Sequence, residues 1–179
     1  MTGLILIDIQ NDYFDKGSNT LTGSEKVSEN AGLILDKFRA DKLNVIHIQH
    51  IALKPTATFF LPGTFGAEIH KNVKPLEQEK VIIKHYPNSF RETVLLDYLR
   101  TIGINDMVIC GMMTHMCVDS TTRAAKDFGF NCTVIGDACA TRDLIINAQI
   151  VKAEEVHKSF LAALDYFYST VTSTKQFLG

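Results

Sequence analysis

Apolar residues in this chain fall into short unbroken runs that alternate with stretches of helical spacing. The first run, Gly3–Ile9, is continuous rather than alternating, which predicts a strand buried on both faces. Glu25–Asp41 then carries Val27, Ala31, Leu33, Ile34, Leu35 and Phe38 at the period of a helix with one apolar face. Asn44–His50, Lys80–Lys84, Asp106–Cys110 and Cys132–Ile135 read as further strands. Between them, Thr93–Ile102 and His115–Phe128 read as helices that Gly103 and Gly129 close in the left-handed conformation. Lys152–Ser169 is a long amphipathic stretch with Val156, Phe160, Leu161, Leu164 and Phe167, and Val171–Ser173 can add an edge strand. Ile51–Gly66, with Pro55, Pro62 and Gly63, reads as a long surface loop of the kind that more often serves a site than fills space.

Strands alternating with helices predict right-handed βαβ crossovers and an α/β fold, a three-layer sandwich around a central, mostly parallel, Rossmann-like sheet. Its 179 residues suit one domain, 1–179, with a substantial core. A hydrophobic fraction of 46% and a charged fraction of 21% are those of an ordinary globular protein. The net charge of −2 has no basic run behind it, so neither nucleic acid nor membrane is expected as a partner. Leu4–Ile9 is too short and too interrupted for a membrane helix or a signal peptide, and a cytoplasmic location is expected. The four cysteines, Cys110, Cys117, Cys132 and Cys139, form no CxxC pair and no zinc-ligand spacing, so reduced thiols are expected.

Ligand sites in open parallel sheets gather beyond the carboxyl ends of the strands. That rule selects Asp8 after the first strand, Lys84 at the end of the third, and Cys117 across a tight turn from the fourth. Singly, each has an ordinary explanation: a turn aspartate, a solvated lysine, a packed thiol. Together they suit nucleophilic chemistry. A free thiol has a pKa of about 8.5, and a helix start plus the Lys84 ammonium are expected to lower it. A drop of two units corresponds to roughly 2.7 kcal/mol. Asp8 can take the thiol proton and return it to a leaving amine, backbone N–H groups can hold the oxyanion, and no cofactor is needed.

Four segments carry a resemblance: Leu4-Ile5-Leu6-Ile7-Asp8-Ile9-Gln10-Asn11-Asp12, Val81-Ile82-Ile83-Lys84, Gly111-Met112-Met113-Thr114-His115-Met116-Cys117-Val118, and Gly136-Asp137-Ala138-Cys139-Ala140-Thr141-Arg142-Asp143. In this order they resemble the isochorismatase-like cysteine hydrolases, the group that includes nicotinamidases and carbamoyl-amide hydrolases. The resemblance implies a catalytic triad of Asp8, Lys84 and Cys117. It also implies a cis peptide between Met112 and Met113, with the N–H groups of Met113 and Cys117 facing the oxyanion. It implies a homo-oligomer, dimer or tetramer, to which Phe59, Phe60 and Leu61 of the long loop can contribute an interface. Cys117 points to the amidase side of the family, since the ether-cleaving members lack the nucleophile.

Two departures matter. The nicotinamidase branch resembles a metal site with an Asp-x-His step after the second strand, whereas this chain reads His47-Ile48-Gln49-His50-Ile51. No metal is expected, although paired histidines could hold one. After the lysine the chain reads His85-Tyr86-Pro87-Asn88-Ser89-Phe90, where relatives often have Ser-Ala-Phe, so the pocket wall is expected to differ. Gln10, Phe14, His50, Phe65, Phe90, Thr114 and His115 are the candidates to line a pocket for a small-molecule substrate. Cys110, Cys132 and Cys139 read as inert core thiols and His157 as a surface residue, while His70 and His85 stay unassigned.

Overall fold

The computed structural model describes residues 1–179. A six-stranded sheet forms its centre, in the order β3-β2-β1-β4-β5-β8, with every neighbouring pair parallel. The strands are β1 (Thr2–Ile7), β2 (Asn44–His50), β3 (Lys80–Lys84), β4 (Asp106–Met112), β5 (Asn131–Ala140) and β8 (Thr170–Thr172). The unbroken apolar run of β1 has the cause inferred for it. Leu4 and Leu6 pack into the core on one face, Ile5 and Ile7 into the core on the other. Helices α1 (Ser24–Ala40) and α5 (Thr174–Leu178) cover the first face, with Phe38 of α1 stacked near Phe177 of α5. Helices α2 (Leu95–Thr101), α3 (Asp119–Asp127) and α4 (Ala153–Phe167) cover the second through Leu95, Leu99, Ala125 and Leu164.

From β1 the chain winds outward through β2 to β3, then returns to the centre and winds the other way through β4 and β5. The direction therefore reverses between β1 and β4, which makes the crevice at their carboxyl ends the expected ligand site. Gly111 allows these two strands to meet there. Its φ is +146°, and a Cβ at that position would lie 2.1 Å from the carbonyl oxygen of Ile7.

Several elements differ from the sequence reading. The fifth strand runs on to Ala140 because a register shift between Ile109 and Gly111 lets Gly111 and Met112 pair with Cys139 and Ala140. A hairpin, β6 (Leu144–Ile146) with β7 (Gln149–Val151), follows it and stands apart from the main sheet with Ile145, Ile146 and Ile150 exposed. The expected helix from His115 is split into a π-turn, Thr114–Val118, and α3. Of the loop aromatics assigned to an interface, Phe60 is buried and packs edge-on against Tyr13, 4.7 Å between centroids. No helix is long and apolar enough to cross a membrane.

Candidate active site

Asp8 is the first residue past β1 and holds a left-handed φ of 51°, sparsely populated by residues other than glycine and best tolerated by Asp and Asn. Lys84 is the last residue of β3, and Cys117 lies in the π-turn after β4. The turn is closed by the carbonyl of Met113, which accepts from the N–H groups of Met116 (3.0 Å) and Val118 (3.2 Å). The Met112–Met113 peptide leading into it is cis.

These elements bring three side chains into contact away from water. Lys84 Nζ lies 2.7 Å from Asp8 Oδ2, and both side chains are 0% exposed. The same ammonium donates to Cys117 Sγ at 3.2 Å and to the carbonyl of Tyr86 at 3.0 Å, and lies 3.0 Å from His50 Nδ1. Asp8 Oδ1 is buried with no hydrogen-bond donor, which leaves it able to accept a proton. Burial works against the Lys84 ammonium, but Asp8 and Cys117 outweigh it and hold the lysine above its ordinary value, so it stays charged.

The thiol departs from expectation. Burial, and then the charge of Asp8, push Cys117 above its ordinary value, and Lys84 recovers only part of the shift. A preformed thiolate was expected from the cation and the turn; the enclosed site and the neighbouring carboxylate favour the protonated thiol instead. The Asp8 carboxylate therefore lies beside a protonated thiol.

Ligand atoms of Asp8, His50 and Cys117 all lie within 4.8 Å of one another, a spacing that a metal ion could bridge. Here the Lys84 ammonium contacts all three and takes the position a cation would occupy. The His47 and His50 pair does not converge on a metal either. His47 turns its Nε2 to Glu79 at 2.9 Å while His50 turns its Nδ1 to Lys84.

The candidate pocket residues divide by position. His50 contacts Lys84 and lies within 4.8 Å of the ligand atoms of Asp8 and Cys117. Gln10 spends its side chain on backbone: Nε2 donates to the carbonyls of His50 (2.9 Å) and Ala67 (2.7 Å), and Oε1 accepts from the N–H of His50 (2.7 Å). It fixes the end of β2 rather than facing a cavity. Phe14 is buried and stacks on His70 at 3.6 Å between centroids. Phe90 is buried against Phe128 and Phe130, in the same apolar cluster as Cys117. Phe65 is 74% exposed. His115 pairs through Nδ1 with the hydroxyl of Thr141. Thr114 bonds to His157 Nδ1 at 2.9 Å, so His157, read from sequence as a surface residue, instead supports the turn that carries Cys117. Its place inside α4 gave no sign of that contact.

Residues 2–176 match the family model described as the Isochorismatase domain. The chain belongs to the isochorismatase family. It is thus an isochorismatase-family hydrolase. An isochorismatase family protein of Bacillus subtilis (strain 168), YddQ, is 50% identical over 177 residues, covering 99% of this chain and 98% of that one. Among solved structures, an Oleispira antarctica protein assigned as an isochorismatase hydrolase superposes with a TM-score of 0.95 at 46% identity, covering 99% of this chain and 95% of the other. A streptothricin hydrolase of Streptomyces noursei is 31% identical over 141 residues, 79% of this chain and 55% of that protein.

Proposed function

We propose that this isochorismatase-family hydrolase cleaves a carbon–nitrogen bond, amide or carbamoyl, in a small molecule through a thioester on Cys117. The observation that carries the reading is the enclosed contact of Cys117 Sγ with Lys84 Nζ, itself paired to Asp8, at the crevice between β1 and β4. Asp8 takes the thiol proton as sulfur attacks the carbonyl carbon, and the π bond becomes an oxyanion facing the N–H groups of Met113 and Cys117. Collapse expels the nitrogen, which leaves as an amine with the proton held by Asp8, and the acyl group stays on sulfur. Water then attacks the thioester, gives its proton through Asp8, and releases an acid and the thiol. The Lys84 ammonium stabilises negative charge on sulfur during each transfer and stays paired with the Asp8 carboxylate. The activity named for the Streptomyces noursei relative, a hydrolase, supports the class of reaction and leaves the substrate open. A cytoplasmic location and assembly into a dimer or tetramer belong to the same reading; the exposed isoleucines of the β6–β7 hairpin are consistent with assembly.

Ammonia release from a panel of small amides and carbamoyl compounds tests this. Wild-type protein is expected to turn over at least one of them and to form an acyl adduct on Cys117 detectable by mass spectrometry. Cys117→Ala is expected to stay folded and inactive. A Cys117→Ala protein that still hydrolyses substrate would replace this mechanism with one that needs no thiol, such as ether cleavage.

A further inference from the structure

We propose that the substrate is a small amide bearing an anionic group, a carboxylate in its simplest form, and that Lys54 and Arg91 hold that group at the mouth of the site. The inference rests on the reading of Cys117 as nucleophile and adds the chemical class of its substrate.

A cavity of about 510 Å³, within the size range of small-molecule sites, borders the neighbours of Lys84. Its inner wall includes His50 and Tyr86, the two residues whose Nδ1 and carbonyl each lie 3.0 Å from Lys84 Nζ. The ligand atoms of His50, Asp8 and Cys117 lie within 4.8 Å of one another, so this wall adjoins the reacting atoms. Farther out, the lining includes Lys54, His85 and Arg91 and not one acidic residue. Two full positive charges thus face a cavity whose wall residue His50 lies within 4.8 Å of the Asp8 and Cys117 ligand atoms.

The geometry of each group suits that task. The Arg91 guanidinium lies 3.7 Å over the Tyr86 ring, a stacking that fixes its plane and leaves its N–H edge for bidentate contact with a carboxylate. Its one acidic neighbour, Glu92, is 3.5 Å from Nε, and with both side chains more than half exposed the pair is weak competition. His85 donates through Nδ1 to the carbonyl of Ile51, which holds its ring in the wall. At the inner end, Lys84 Nζ lies 3.0 Å from His50 Nδ1, and because an ammonium cannot accept a hydrogen bond, this contact favours the neutral ring with its proton on Nε2. Burial, opposed by Asp8 and assisted by Lys84, brings His50 down to about 4, so the ring stays neutral near pH 7 and offers one N–H donor. A neutral donor inside and cations outside match an amide at one end of the substrate and an anion at the other.

Iodoacetate and iodoacetamide test the proposal, because they share a leaving group and differ in charge. Their rates of alkylation at Cys117, divided one by the other, are compared with the same ratio for glutathione. The expected ratio for the protein is larger by about tenfold, the factor that 1.4 kcal/mol of preferential binding gives. It is expected to fall toward the glutathione value in the Lys54→Gln/Arg91→Gln double variant, whose fold is checked by circular dichroism, and in high salt. A ratio equal to that of glutathione, or unchanged in the double variant, overturns the anionic subsite while leaving Cys117 as nucleophile. If neither reagent modifies Cys117, the resting thiol is unreactive toward both, and calorimetry with glutarate decides the subsite. Binding by wild type that is lost in the double variant supports it; no binding, or equal binding, overturns it.

Discussion

Lys84 Nζ has three hydrogens and four polar neighbours, Asp8 Oδ2, His50 Nδ1, the Tyr86 carbonyl and Cys117 Sγ. Nothing else in the site neutralises the buried Asp8 carboxylate, so the lysine has a structural role apart from the proposed chemistry. Lys84→Met leaves that charge unpaired and is expected to cost about 3–5 kcal/mol in urea unfolding. Asp8→Asn added to it is expected to restore much of the loss without restoring turnover. A double variant no more stable than Lys84→Met would show that the pair is not what links these positions. Gly111 is a second residue whose identity the site dictates. A methyl group there would meet the Ile7 carbonyl oxygen at 2.1 Å, and neither strand backbone can yield. Gly111→Ala is expected to destabilise by at least about 3 kcal/mol, the upper range for an overpacked core. Its thermal unfolding compared with that of wild type decides the matter.

At the level of elements, the sequence was readable wherever burial on both faces left an uninterrupted apolar run. The first four strands are found close to their expected limits, and with them the places of Asp8 and Lys84 at strand ends. Cys117 was traceable because a short turn had to connect β4 to the next helix. The π-turn itself was hidden, since Thr114–Val118 has the composition of an ordinary first helical turn. The β6–β7 hairpin and α5 were missed because both are too short to show a period. The charge of the cavity was equally hidden: Lys54 and Arg91 come from loops after different strands and meet only in the fold. Helix α4 shows how little burial can anchor an element whose period is plain. Only Ala153, Val156 and Leu164 are buried among its 15 residues. Leu164 lies in the apolar cluster that also contains Cys117 and Val118 of the π-turn. Leu164→Ala is therefore expected to cost about 3 kcal/mol and to loosen the Thr114–His157 contact, read as faster hydrogen exchange in Thr114–Val118. Exchange unchanged in that turn would mean that α4 does not support it.

For the molecule as a whole, the buried ionisable groups define a pH window of stability whose two sides can be derived separately. On the acid side, burial lowers His47 below its ordinary 6.5 despite Glu79, and lowers His50 to about 4. The unfolded chain therefore takes up these protons first, and stability is lost as pH falls below 6.5. Burial would raise Glu79, but Arg39, the N–H of Leu76 and His47 outweigh it and bring the carboxyl from 4.5 down to about 2. Its contribution is present above 4.5 and lost as pH falls toward 2. Asp119, raised by burial, works in the opposite direction, though Arg123 offsets part of its shift. On the alkaline side, burial raises all four thiols above 9.0, Cys132 to about 11 and Cys139 to about 12, so the unfolded chain ionises first and stability declines above 9.0. Urea unfolding across pH is thus expected to show a plateau between 6.5 and 9.0 with losses on both sides. Glu79 joins Arg39 of α1, His47 of β2 and the entry to β3. Glu79→Gln is expected to lower the plateau by about 2 kcal/mol, the scale of a charged hydrogen bond, and to flatten the descent below pH 4.5. A variant that keeps the wild-type slope there would place the acid sensitivity elsewhere, and the remaining candidates in the interior are the histidines themselves.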